Sequence, residues 1–196
     1  MQRSRLKILF LIPTLGRGGA ERVVTNLVRN MDRTIFDMTL AILNAETSVF
    51  LDDIPKDIKM VVIGSTRVRY AAGKIGQLIR ETQPDIVFST LGYLNLMIAM
   101  LRPILPKKIR FIGRSDSILS LNIQVYRYPK IWEWAYRCFY HRFDRIICQS
   151  HYMREDLVKN FDIASKKISV INNPVDIERI RQLAEAPINS DVFGLN

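Results

Sequence analysis

The chain has 196 residues, of which 48% are hydrophobic and 24% charged, and its formal net charge is +10. Such a composition excludes a disordered chain and is typical of a globular domain with its own core. Two cysteines without paired spacing and two histidines give no disulfide framework and no metal site, so we expect a reducing cytoplasm. The positive charge indicates an anionic partner, such as nucleic acid, anionic lipid or a phosphorylated metabolite.

Short apolar runs predict buried strands, because most of them are continuous rather than alternating. In chain order they cover residues 7–12, 38–43, 60–63, 85–89, 109–112, 145–148 and 168–171. Segments with helical periodicity lie between them at 20–31, 72–82, 93–101, 129–143 and 151–161. This alternation predicts an α/β fold, with a doubly wound parallel sheet of about seven strands and helices on both faces.

No segment is expected to span a membrane. The first apolar run follows a basic start, but it is too short for a signal peptide and no cleavage site follows it. At the other end, residues 177–196 read as a short amphipathic helix and a polar linker. We therefore assign residues 1–176 to one domain and 177–196 to a helix and interdomain linker, where a second domain would begin.

A glycine-rich turn joins the first strand to the first helix and contains Gly16, Arg17, Gly18 and Gly19. Free backbone N–H groups and the positive end of a helix make such a turn a phosphate site, and Arg17 adds charge. The alternative is a plain tight turn with a solvated arginine. A dinucleotide fingerprint is excluded, because Glu21 stands where its third glycine belongs, and no Gly-Lys-Ser or Gly-Lys-Thr phosphate loop occurs.

Four motifs carry a resemblance to a known family: LGRGGAERVVTNL, PDIVFST, DRIICQSHYMREDLVKNF and KISVINNPVD. With this spacing the chain resembles the N-terminal domain of retaining glycosyltransferases of family 4, which have the GT-B fold. The resemblance implies a Rossmann-like, acceptor-binding half, with a nucleotide-sugar bound mainly by a C-terminal domain absent from this sequence. It implies no cofactor and no metal.

The resemblance also implies a role for the glycine turn. Gly16, Arg17, Gly18 and Gly19 would face the cleft near the donor diphosphate, and Glu21 is grouped with them. Glycosyl transfer builds negative charge on the leaving diphosphate, which oriented amides and a cation stabilise. The family has a pair of glutamates eight residues apart, and no two glutamates of this chain have that spacing. Glu178 and Glu185 come nearest, at seven residues apart. We therefore expect this chain alone to be inactive.

Many relatives carry a histidine after the fifth strand, whereas this chain has Arg114, Ser115 and Asp116 there. Arg114 could hold an acceptor phosphate, and Asp116 could accept a hydrogen bond from a sugar hydroxyl, so both are our catalytic candidates. The alternative is an Arg–Asp surface pair that closes a turn. Asn173, before Pro174, is a candidate acceptor or hinge residue, for which a purely structural turn is the preferred interpretation.

The helix at 129–143 is rich in aromatic residues and predicts two faces. One is expected in the core and carries Tyr128, Trp132, Tyr136, Phe139 and Phe143. The opposite, basic face carries Lys130, Trp134 and Arg137 and suits an anionic membrane, or it is simply a solvated face. No nucleic-acid-binding motif is found.

The resemblance implies the acceptor-binding half of a transferase that adds a sugar from a nucleotide-sugar to a growing, lipid-linked glycan at the cytoplasmic face of a membrane. Two alternatives stay open. One is a non-catalytic subunit that recruits a separate donor-binding chain to the membrane, and the other is a phosphate- or nucleotide-binding module. The sugar, acceptor, linkage and oligomeric state do not follow from the sequence.

Overall fold

The structure is a computed structural model that describes residues 5–46 and 48–185. Its strands are β1 Leu6–Ile12, β2 Phe36–Ile42, β3 Lys59–Val62, β4 Ile86–Thr90, β5 Arg110–Arg114, β6 Arg145–Cys148 and β7 Ile168–Val170. Its α-helices are α1 Gly19–Asn30, α2 Val68–Thr82, α3 Gly92–Leu101, α4 Leu119–Asn122, α5 Pro129–Phe139, α6 His151–Phe161 and α7 Ile177–Glu185. Residues 186–196 of the predicted linker lie outside the described residues.

The strands form one parallel sheet in the order β3-β2-β1-β4-β5-β6-β7. From β1 the chain moves toward one edge of the sheet, and from β4 it moves toward the other edge. The carboxyl ends of β1 and β4 therefore flank the topological switch point, where ligands bind in open parallel sheets. The glycine turn follows β1 directly, so the fold puts it at that point.

Helices cover both faces of the sheet, and the doubly wound prediction is confirmed. On one face, Val24 and Val28 of α1 pack on Ile8, Phe10 and residues of β2. On the other face, α2, α3, α5 and α6 bury a larger aromatic and aliphatic core. The central strands β1 and β4 are mostly buried and largely apolar, because helices exclude water from both faces of the sheet there.

The element boundaries differ from the predictions at several places. Helix α2 begins four residues before the predicted start at residue 72, and α4 was not predicted. The aromatic helix ends at Phe139 and continues as a 3-10 turn over Tyr140–Arg142. Pro129 does begin α5, and the Ser150 hydroxyl caps α6 by accepting from the Met153 backbone N–H at 3.2 Å.

Candidate functional site

The glycine turn leaves the first turn of α1 open to solvent. Arg17, Gly18 and Gly19 are exposed, and Gly18 is the N-cap in an extended conformation with no side-chain cap. A Cβ added at Gly19 would meet nothing within 4 Å. A Cβ added at Gly18 would meet the Glu21 carboxylate, which folds back over the turn. The positive end of α1 thus faces solvent with one acidic side chain beside it.

A cavity of about 300 Å³ lies between α1 and the segment that follows β7. Gly19 and Arg22 line it from α1, and Asn173 and Pro174 line it from the other side. The buried Thr25 hydroxyl also belongs to this wall and has no hydrogen-bond partner among the described residues. The fold therefore brings the glycine turn and the predicted hinge residue, far apart in sequence, to one cavity.

Arg114 is buried at the carboxyl end of β5, with 3% of its surface exposed. Its Nη1 donates to the Thr90 hydroxyl at 3.2 Å, and its Nη2 donates to Asn173 Oδ1 at 2.7 Å. Burial lowers the pKa of the guanidinium, because the charged form loses water. No described carboxylate lies within 4 Å of it, so the surface pair with Asp116 considered from the sequence is not formed.

Asn173 continues this hydrogen-bonded chain across the sheet edge. Its Nδ2 donates to Gln149 Oε1 at 3.0 Å, and Gln149 Nε2 donates to the Asp116 backbone carbonyl at 3.3 Å. Hydrogen bonds therefore connect the carboxyl ends of β5, β6 and β7 just before Pro174. Asn173 therefore has a structural contact of its own, because its side-chain amide links Arg114 to the segment that leaves the sheet.

Asn95 is hydrogen-bonded to the end of β5. It is fully buried in α3, where its Oδ1 accepts from the Ser89 hydroxyl at 2.7 Å. Its Nδ2 donates to the Arg114 carbonyl at 2.9 Å and to the Tyr140 hydroxyl at 3.0 Å. Sequence reasoning missed this role, although a lone amide inside an apolar helix is a signal for a buried hydrogen-bonding group.

Asp116 is half-buried after β5 and lies in a cluster with the phenols of Tyr93 and Tyr126 and with a second carboxylate, Glu21, near Tyr93. Burial raises the pKa of Asp116, and backbone N–H groups and the Arg114 charge oppose this rise only in part. Burial also raises the pKa of Tyr93, with smaller contributions from the charges of Glu21 and Asp116, and burial raises that of Tyr126. This mixture of O–H donors and carboxylate acceptors is suited to sugar hydroxyls. No local sequence pattern indicates that the two tyrosines lie near Asp116.

The turn between β4 and α3 lies beside this cluster. Leu91 has a φ of 74°, a left-handed conformation that a branched side chain adopts only under strain. The next residue, Gly92, accommodates the buried Tyr136 hydroxyl, which a Cβ there would meet at 2.8 Å. That hydroxyl has no hydrogen-bond partner among the described residues, and burial raises its pKa. The strained turn thus adjoins the switch point of the sheet.

The three residues of the predicted membrane face all lie on α5. Lys130 and Trp134 are exposed on α5. Arg137 is also exposed, but its guanidinium pairs with Glu133 at 3.0 Å and with Asp162 at 3.7 Å, so its charge is largely neutralised. Tyr128, which was expected in the core, is 54% exposed because it precedes the helix and lies off its packed face.

Within residues 5–46 and 48–185, no group of three histidine, cysteine, aspartate or glutamate side chains could hold a metal ion. In the same part of the chain, every helix is too short or too polar to cross a bilayer.

Two curated proteins illustrate the sequence similarity of the chain. It is 26% identical over 186 residues to the N-acetylgalactosamine-N,N'-diacetylbacillosaminyl-diphospho-undecaprenol 4-alpha-N-acetylgalactosaminyltransferase of Campylobacter jejuni, a match that covers 91% of the chain and 50% of the relative. It is 28% identical over 122 residues to an uncharacterised glycosyltransferase of Methanocaldococcus jannaschii, covering 59% of the chain and 30% of the relative. The chain thus spans at most about half the length of these relatives.

Solved structures share the fold. The lipopolysaccharide outer core galactosyltransferase WaaB aligns with a TM-score of 0.61 at 21% identity, over 88% of this chain and 47% of that one. Anabaena HepE, solved with UDP and glucose, aligns with a TM-score of 0.65 at 16% identity, over 92% of this chain and 50% of that one. A UDP-N-acetylglucosamine 2-epimerase of Rickettsia bellii aligns with a TM-score of 0.69 at 12% identity, over 97% of this chain and 52% of that one.

Because an epimerase shares this architecture with transferases, the fold alone does not identify the reaction. The sequence identifies the family, since the family model described as Glycosyltransferase Family 4 matches residues 17–179. That span runs from the arginine of the glycine turn, past Arg114, Asp116 and Asn173, into α7. The seven-stranded sheet is the N-terminal half of a GT-B fold, and the chain belongs to glycosyltransferase family 4.

Proposed function

We propose that this chain is the acceptor-binding half of an enzyme that transfers a sugar from a nucleotide-sugar to a lipid-linked glycan. One observation carries the proposal: an exposed glycine turn and a cluster of acid and phenol groups, partly exposed to solvent, lie at the same edge of the sheet. The turn suits the diphosphate that leaves during transfer, and the cluster suits the hydroxyls of the sugar that attacks. The name of the Campylobacter relative supports a diphospho-undecaprenol acceptor.

Each candidate residue has a defined part in this proposal. Arg17 and the amides of Gly18 and Gly19 stabilise the charge that develops on the departing diphosphate, after the Glu21 carboxylate moves off the turn. Asp116 accepts a hydrogen bond from an acceptor hydroxyl. Arg114 is a positioning residue, because its hydrogen bonds to Thr90 and Asn173 hold the loop that carries Asp116.

The second half of such an enzyme would supply most contacts to the nucleotide-sugar. We therefore expect the 196-residue chain to bind a nucleoside diphosphate-sugar weakly and to transfer no sugar alone. We place the complete enzyme at the cytoplasmic surface of a membrane, where nucleotide-sugars and lipid-linked acceptors meet. Measurable transfer by the purified chain would contradict the division of labour between the two halves.

The proposal is tested by binding a soluble, short-chain prenyl diphosphate saccharide to the chain, measured by ligand-observed NMR. Asp116→Asn should weaken binding about tenfold, the loss expected when a hydrogen bond to a charged acceptor becomes a neutral one. Asp57→Asn is the matched control, because Asp57 is an exposed carboxylate paired with Arg33 on another surface. Equal weakening by both variants, or none by either, would remove Asp116 from the acceptor site.

A further inference from the structure

A row of large apolar side chains is exposed on the segment that follows Asp116. Its members are between 54% and 80% exposed: Leu121, Val125, Tyr128, Ile131 and Trp134. We call this row the apolar ridge. Single exposed apolar residues are ordinary on a protein surface, but five within fourteen consecutive positions form a patch typical of an interaction site.

The ridge stands on a packed base. Ile131 and Trp134 are three residues apart and share one side of α5, and Tyr128 immediately precedes this helix. On the other side of that helix, Trp132 packs against Tyr126 with ring centres 4.8 Å apart, and Tyr136 is fully buried. The exposed row is therefore held in place by the core rather than by a flexible loop.

Charge indicates which partner the ridge fits. No acidic residue occurs between Asp116 and Glu133, whereas Arg127 and Lys130 lie within this segment and are exposed. Neither cation has a carboxylate of the described residues within 4 Å, and the Arg127 guanidinium lies 5.2 Å from the ring centre of Tyr128. Apolar and aromatic side chains edged by unpaired cations match the head-group region of an anionic bilayer.

We propose that the apolar ridge inserts into the surface of an anionic bilayer, with Arg127 and Lys130 on the lipid phosphates. This differs from docking by the basic face of α5 alone, since Arg137 is already paired and the apolar side chains supply most of the binding. The role of the ridge rests on the proposed function, because docking there presents the site to a lipid-linked acceptor. Tyr126, between Val125 and Arg127, has a pKa raised mainly by burial and, to a smaller extent, by the charge of the nearby Asp116 carboxylate.

Co-sedimentation of the 196-residue chain with vesicles tests the proposal. One set of vesicles contains phosphatidylglycerol and phosphatidylcholine, and the other contains phosphatidylcholine alone. The double variant Ile131→Ser, Trp134→Ser should lower the partition coefficient on anionic vesicles by at least about tenfold, because two large apolar side chains leave the bilayer. Lys130→Glu should lower it less, and its effect should fade as salt rises.

The matched control is Ile104→Ser with Lys107→Glu. Ile104 is 64% exposed and Lys107 is exposed, but both precede β5, at the amino edge of the sheet. This control should bind vesicles as the parent chain does. A second readout uses Trp132→Phe, which leaves Trp134 as the single tryptophan, and brominated lipids should quench its fluorescence.

Equal vesicle binding by the ridge and control variants, or unquenched Trp134, would overturn the proposal. So would a dimer of the free chain that dissociates when Ile131 and Trp134 are replaced, because the ridge would then be a contact between copies. The soluble saccharide of the preceding test separates the two proposals. If the ridge variants bind the soluble saccharide normally while the parent chain does not bind vesicles, the membrane inference fails and the proposed function stands.

Discussion

The glycine turn and the buried network around Asn95 lie at the same edge of the sheet but are built in opposite ways. The turn offers exposed backbone, with open space at Gly19 and the Glu21 carboxylate beside Gly18. The network closes the end of β5 with two buried hydrogen bonds, one that Asn95 donates to the Arg114 carbonyl and one that the Arg114 guanidinium donates to the Thr90 hydroxyl. One region is left free for a ligand, and the other fixes the frame against which a ligand is held.

This contrast predicts that substitutions in the network change stability first, whereas substitutions in the turn change binding without changing stability. Buried hydrogen-bonding groups are costly when their partners are removed, because water cannot replace those partners. An exposed turn has no such penalty. Four variants test the contrast, and the expected change in the free energy of unfolding falls from the first to the last.

Asn95→Leu should have the largest effect. It removes the partners of Ser89, Tyr140 and the Arg114 carbonyl together, so unfolding free energy should fall by about 3 kcal/mol. Urea denaturation followed by circular dichroism measures the change. Asn30→Leu is the control, because Asn30 is an exposed residue on α1 and the same substitution there should change little. Similar losses in both variants would remove the distinction between network and surface.

Asn173→Leu should destabilise the chain less. It removes the acceptor of Arg114 Nη2 and the donor to Gln149, but Asn173 is itself exposed, so water replaces part of what is lost. We expect a loss of about 1–2 kcal/mol. The neighbouring substitution Asn172→Leu is the control on the same exposed segment. If both variants unfold at the parent urea midpoint, the amide of Asn173 does not support the buried arginine.

Asp116→Asn should stabilise the chain slightly, and only above acidic pH. Burial raises the folded-state pKa of Asp116 above its ordinary value of 3.8, so its contribution to stability is fully present below that value. The contribution is lost as pH rises through the raised pKa, a loss that the asparagine variant does not suffer. Melting temperatures of the two proteins should agree at low pH and separate toward neutrality. Curves that stay parallel throughout would show that the carboxyl is not penalised by burial.

Gly19→Ala should have the smallest effect on stability, within about 0.5 kcal/mol, because the added Cβ meets nothing and alanine suits the first turn of a helix. Binding of a nucleoside diphosphate to the complete enzyme should nevertheless weaken, since the Cβ lies where the phosphates approach. The same substitution at Gly73, exposed in α2 with nothing near its Cβ, is the control. Unchanged diphosphate binding by the Gly19 variant would leave the turn a purely structural feature.

Local patterns were enough for the strands, the glycine turn and the caps. The continuous apolar runs predicted every strand to within a few residues. The central strands are largely apolar along their length because helices cover both of their faces. Pro129 and Ser150 predicted the starts of α5 and α6, since their effects act within one helical turn. Tyr128 was wrongly assigned to the core, because helical periodicity was extended beyond the point where α5 begins.

The sequence by itself determined the alternating order of strands and helices, and with it the parallel sheet and the place of the glycine turn after β1. These features depend on residues close together in the chain. The tertiary structure decided the rest: that Arg114 is buried against Thr90 and Asn173 rather than paired with Asp116, and that Arg137 is neutralised by Asp162. These contacts join residues up to 59 positions apart in the chain. Only the order of the strands in the sheet brings such residues together, and no local periodicity records it.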